Sequence, residues 1–174
     1  MVQGVVVVVA VMGLQTSEAN ANRTNSMLYT RVRSTNRYIG ALVREGYERS
    51  ATVRELVHTI QGSNVTVWVE PGMCAGGRIR ACLVSVSGSA RARYIWIKID
   101  PQHTIRDRLI AAIAHELQHA VEIAEEPDVT DASAVVSLYR RIAIGRCREG
   151  LSEECETERA LEIEKIVNAQ LVGR

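Results

Sequence analysis

The hydrophobic and polar positions of the chain change period along its length. Residues 4–14 are an unbroken apolar run, GVVVVVAVMGL. Between 65 and 99 apolar residues recur at every second position, the period of a strand; beyond 104 they recur every three or four, the period of a helix. Val65, Val67 and Val69 mark a half-buried strand over 64–70, closed by Pro71-Gly72. A second strand is predicted over 79–87, IRACLVSVS. A third is predicted over 92–99, where Ile95, Ile97 and Ile99 oppose Tyr94, Trp96 and Lys98. Ser87-Gly88-Ser89 marks the turn between these two. Three short strands joined by turns predict a three-stranded antiparallel meander.

Helical patterns flank the strands. A short helix is expected over 34–48, broken at Gly40 and Gly46. Thr52-x-x-Glu55 reads as a capping box that opens a helix with Val53, Leu56, Val57 and Ile60 on one face, ending at Gly62. After the strands, Thr104-x-x-Asp107 is expected to cap a helix running to about residue 125. Its apolar stripe is Leu109, Ile113, Leu117, Ala120 and Ala124, and Pro127 stops it. Asp131 caps a helix over 132–143, and a last helix is expected over 152–171. A small antiparallel sheet followed by three helices, with no repeat or linker inside 34–171, predicts a single α+β domain over residues 34–174.

The first apolar run is shorter than the about 20 residues that span a bilayer. It matches the apolar region of a secretory signal, and Ala19-Asn20-Ala21 fits the small-x-small cleavage pattern. Residues 1–21 are therefore expected to be a signal peptide, and 22–33 a flexible lead-in. The alternative is a buried first strand, since a run of valines suits a sheet. Export implies a periplasmic or extracellular protein with no membrane contact beyond an uncleaved N-terminal anchor. Cysteine usage agrees. Cys74, Cys82, Cys147 and Cys155 form two close pairs, and of the three possible connectivities the local one, Cys74–Cys82 and Cys147–Cys155, is expected. The C-x2-C spacing of a cysteine zinc site is absent.

Composition narrows the function. In 174 residues, 21 basic and 20 acidic side chains leave a net charge of +1, which gives no electrostatic footprint for nucleic acid. There is no Phe, and only five Tyr and two Trp, so the core must be aliphatic and base-stacking platforms are not expected.

The chemistry sits in His115-Glu116-Leu117-Gln118-His119, an H-E-x-x-H pattern in the middle of a helix. Residues i and i+4 share a helix face, so two imidazoles can converge on one Zn²⁺. Glu116 lies one step round, placed to act as general base on water activated by the metal rather than to ligate. His58 and His103 lie outside the motif and read as ordinary surface or capping residues. A catalytic zinc needs a third protein ligand. Glu125 would point about 80° away from His115 if the helix continues, which disfavours it. Glu122 shares the histidine face about 10 Å along the axis from His115, which suits a supporting or substrate contact. On the last helix, Glu156 precedes Ala160, Ile163 and Val167 at +4, +7 and +11 and so heads the apolar stripe. Glu156 is the expected third ligand, with Glu153 next.

At these residues the chain resembles the gluzincin branch of the zincin metallopeptidases. The resemblance rests on His115-Glu116-Leu117-Gln118-His119 and on the later Glu156-Thr157-Glu158-Arg159-Ala160. It also resembles small exported bacterial proteins that share an HELQHAVE-like helix and an ETDA-like segment. The likeness implies a zincin-like fold, a small antiparallel sheet on the active-site helix with an edge strand able to pair an extended peptide. It implies a hydrolase in which Zn²⁺ is held by His115, His119 and Glu156, Glu116 is the base, and the partner is a peptide or protein substrate. Gluzincins commonly carry an Asp after the third ligand, where this chain reads Glu158-Arg159-Ala160. Tyr139 and Arg140 are considered for stabilising an oxyanion but read as helix surface. The alternative function is a zinc-binding, non-catalytic envelope or regulatory module.

Overall fold

The computed structural model describes residues 31–74, 80–102, 104–145 and 155–173. Within them the chain runs β1 (Val32–Arg33), α1 (Arg37–Arg49), α2 (Ala51–Gln61), β2 (Val65–Pro71), β3 (Ala81–Ser89), β4 (Ala92–Ile99), α3 (Arg106–Glu125), α4 (Ala132–Ile142) and α5 (Glu158–Val172). The α+β class is as expected. The signal segment 1–21 lies outside the described residues, and the last two positions of the expected lead-in form β1.

The sheet corrects the expected three-stranded antiparallel meander. It has four strands in the order β1-β2-β4-β3. β3 and β4 form the antiparallel hairpin, but β4 lies beside β2 in parallel, with Val65 opposite Arg93 and Val69 opposite Ile97. β1 adds a further parallel pair, Val32 opposite Val67. Alternation fixes which face of a strand is buried; it does not fix the neighbour. The segment between Pro71 and Ala81 is long enough to carry β3 past the place where β4 inserts. The hairpin turn is at Ala90-Arg91, not at Ser87-Gly88-Ser89. Gly88 stays in the strand at φ +134°, and a Cβ there would lie 2.2 Å from the Ala92 carbonyl oxygen, so only glycine fits.

The helices also differ in detail. α1 is continuous through both glycines. Gly46 is a contact point rather than a break: a Cβ there would meet Ile110 Cγ2 at 2.8 Å, so its absence lets α1 lie close against α3. Ser50, not Thr52, caps α2, accepting from the Val53 N–H at 3.1 Å. Thr52 instead accepts from Gln170 Nε2 on α5 at 2.9 Å. The α3 N-cap is Ile105, with no side-chain cap, because Thr104 turns its hydroxyl to the Gln102 carbonyl. α5 begins at Glu158 with Thr157 as N-cap, later than expected.

The core is aliphatic. Val65, Val67, Val69, Leu83, Ile95, Ile97 and Ile99 point inward from the sheet. α3 lies against them and is buried almost continuously from Leu109 to Ile123. Arg93 occupies the inward phase of β4 and is 1 % exposed. Its guanidinium donates to the carbonyls of Ile123, Ala124, Glu126 and Val129 and to Asn64 Oδ1, which ties the C-terminal end of α3 to the sheet. Both tryptophans lie on the outer face, stacked at 5.5 Å with Arg33 over Trp68.

Candidate metal centre

The pattern H-E-x-x-H falls in the middle of the buried helix α3. His115 and His119 are one turn apart and turn their ε nitrogens to each other at 3.2 Å. Glu156 reaches the same point from the residues just before α5, its Oε2 2.9 Å from His115 Nε2. One ligand atom from each of the three lies within 4.8 Å of the others, and the cluster could hold a metal ion. The spacing suits one. Metal–nitrogen bonds of about 2.0–2.1 Å at the tetrahedral angle place two nitrogens about 3.3–3.4 Å apart. Glu156 Oε2 is also buried, facing His115 Nε2. Two imidazole nitrogens and a carboxylate oxygen are a donor set that zinc and neighbouring transition metals accept.

Each ligand is held by a second contact. His119 donates from Nδ1 to Glu122 Oε2 at 2.9 Å, which leaves the Nε2 lone pair for the cluster. Glu122 is 3 % exposed and accepts the Thr157 hydroxyl on its other oxygen at 2.7 Å. Thr157 Oγ1 in turn accepts from the Ala160 N–H and so caps α5. One hydrogen-bonded chain therefore links His119 to the residue that follows Glu156. Glu156 is set further by its own carbonyl, which accepts from the Ile144 N–H at 2.8 Å. His115 Nδ1 faces Glu164 Oε2 at 3.4 Å. The Tyr139 ring packs edge-on to His119 at 5.3 Å.

The charges around the cluster are strongly shifted. Burial pulls the His115 imidazolium down, but the carboxylates of Glu156, Glu164 and Glu116 more than offset it, and its pKa rises to about 10. The hydrogen bond with His115 holds Glu156 below the usual carboxylate range. Burial raises Glu122, but its hydrogen bonds with His119, Thr157 and Gln118 outweigh this and lower it overall. Glu116 goes the other way. It is 6 % exposed, and burial raises its pKa against the opposing charges of His119 and His115. Burial also keeps the Tyr139 phenol well above its usual value.

The cluster unites His115, His119 and Glu156, and Glu116 lines the same cavity. Glu125 turns away, paired with Arg159 at 2.8 Å. Glu122 takes the supporting position expected of it. Glu153 and His103 lie outside the described residues. His58 is exposed, 3.2 Å from the Tyr47 hydroxyl. The Cys74–Cys82 disulfide is present. Cys155 is disulfide-bonded too, while Cys147, its expected partner, lies outside the described residues.

Tyr139 corrects the sequence reading: it is fully buried rather than on the helix surface, while Arg140 is exposed. The spacing Val135, Leu138, Tyr139, Ile142 carries that signal. Thr157, Glu164 and Arg93 are positions the sequence reading passed over. A threonine ahead of a helical stripe signals the first, and extending the Ile95-Ile97-Ile99 phase backwards signals the last. Comparison with known proteins finds no matching family model, curated protein or solved structure.

Proposed function

We propose that the protein is a zinc-dependent peptidase of gluzincin type. The observation that carries the proposal is the convergence of one ligand atom each from His115, His119 and Glu156 within 4.8 Å, with Glu116 on the same cavity. The Glu156 side chain is 46 % exposed, which leaves the cluster open to a substrate from the cavity side. A bound zinc supplies Lewis acidity, lowering the pKa of water towards 7 and polarising the scissile carbonyl. The protein's own groups do the rest. Glu116 takes the proton of the attacking water and passes it to the leaving amine nitrogen. Its burial raises its pKa, which makes its carboxylate a stronger base than an exposed one. Glu122 holds His119 in the tautomer that leaves Nε2 free. The disulfides fit export to an oxidising compartment. Among the described residues, no helix is long and apolar enough to cross a membrane.

The test pairs metal content with hydrolysis. Wild type is expected to hold about one zinc per chain and to cleave unfolded protein or a peptide library. Glu116→Gln should keep the metal and lose about 10²–10⁴-fold in rate. A variant that still hydrolyses at the wild-type rate rejects the mechanism. Zinc bound by wild type with no cleavage of any peptide would leave the non-catalytic zinc module as the reading.

A further inference from the structure

The cavity over the metal cluster carries charge of both signs. Its volume is about 670 Å³, within the range of small-ligand sites. His115, Glu116, Glu156 and Glu164 line it at the cluster, and so do Arg80, Arg108 and Asn168. Arg108 lies seven residues before His115 on α3, two turns away on the same face, about 10 Å along the axis. Helical side chains lean towards the N-terminus, so its guanidinium points further from the cluster. α5 runs back alongside. Arg49 binds both Asp107 in the first turn of α3 and the Leu171 carbonyl in the last turn of α5, which puts Asn168 towards the Arg108 end. Arg80 enters at the start of β3.

Among the described residues neither arginine is held by a hydrogen bond, although the charge of Arg80 is felt by Glu164. Arg49, Arg93, Arg106 and Arg159 all hold carboxylates or carbonyls. Among the described residues, Arg80 and Arg108 make no ion pair and no side-chain hydrogen bond, and both are exposed to the cavity side. An arginine fork matches a carboxylate in shape and charge. An extended chain advances about 3.3 Å per residue, so the distance from the cluster to Arg108 corresponds to about three residues.

Resting on the peptidase reading, we propose that Arg108, with Arg80 across the cavity, anchors a carboxylate of the substrate. The site would then select peptides that present a carboxylate within about three residues of the cleaved bond. Two groups supply that chemistry, the C-terminus of a short peptide and an acidic side chain.

Binding separates them without turnover. The full chain carrying Glu116→Gln, loaded with zinc, is titrated calorimetrically with an alanine tetrapeptide as the free acid, as the C-terminal amide, and as the amide with Glu third. The free acid, the Glu-containing amide, or both should bind at least about tenfold more tightly than the plain amide. The one that does identifies the source. Adding Arg108→Ala should bring the preference within about twofold, and Arg108→Lys should keep part of it. Equal binding of all three peptides, no binding of any, or a preference that survives Arg80→Ala together with Arg108→Ala would overturn the proposal. Loss of the preference leaves hydrolysis standing, because the readout does not depend on it. A clear preference in a protein whose wild type cleaves nothing would reject hydrolysis alone.

Discussion

Glu122 is the residue on which the metal cluster's geometry depends most after the ligands themselves. Its two oxygens divide between His119 on its own helix and Thr157 on the next element. Glu122→Gln would present one acceptor and one donor where two acceptors are needed. Metal affinity should fall about 10–100-fold, measured by competition with a chelator, while the fold persists. His115 sets a pH dependence. In metal-free protein its pKa is raised from 6.5 to about 10, so the protonated form stabilises the fold fully below about pH 6.5. That contribution is lost as pH rises towards 10, and the Tm of metal-free protein should fall over this window. The metal takes the proton's place, so loading at pH 7 should release about one proton per ion, read by calorimetry in buffers of different ionisation enthalpy. At this scale much was legible. Helical spacing alone put both histidines on one face, and Glu156 came from the apolar stripe that follows it. Local spacing signals the burial of Tyr139 and the cap at Thr157, but that the Thr157 hydroxyl bonds Glu122 across the fold is in no local pattern.

Among elements, the close approach of α1 to α3 has the plainest consequence. Gly46→Ala would drive a methyl to 2.8 Å from Ile110 Cγ2 in a fully buried contact. Overfilling of this kind costs about 1–3 kcal/mol, to be read as a lower denaturation midpoint at unchanged slope. The sequence signalled most of these elements within a few residues. It went astray at caps and at strand neighbours. Ser50 and Thr52 are both good capping residues, and the choice between them is made by Gln170 of α5, 118 residues further on. The parallel pairing of β2 with β4 likewise depends on where a connection crosses, a property of the assembled sheet. The late start of α5 has the same origin. Residues 155–157 lie ahead of the helix, Thr157 is extended, and a backbone bond from Ile144 to the Glu156 carbonyl holds the segment there, although 156 keeps the helical spacing to Ala160, Ile163 and Val167.

For the whole molecule, the cluster ties parts of the chain that are far apart in sequence. Two ligands come from α3 and the third from beyond α4, so the complete site exists only in the folded state. Metal should therefore stabilise the protein by mass action, about 2.7 kcal/mol at a free concentration one hundred times Kd. Removal by chelator should lower Tm, and readdition should restore it; a Tm indifferent to the metal would count against a folded-state site. The α+β class was legible from the change of period alone, whereas the sheet order was not. Arg93 adds a mechanical asymmetry to this architecture. Through it the C-terminal end of α3 is clamped to β4 by four carbonyls, so the histidines ride on the sheet as a fixed jaw. Glu156 is held by other means: a backbone bond to Ile144, the Thr157–Glu122 bond and the disulfide at the adjacent Cys155 anchor its segment. The two jaws are thus pinned by different chemistry, carbonyls gathered on one guanidinium behind the histidines and a covalent bond beside the glutamate.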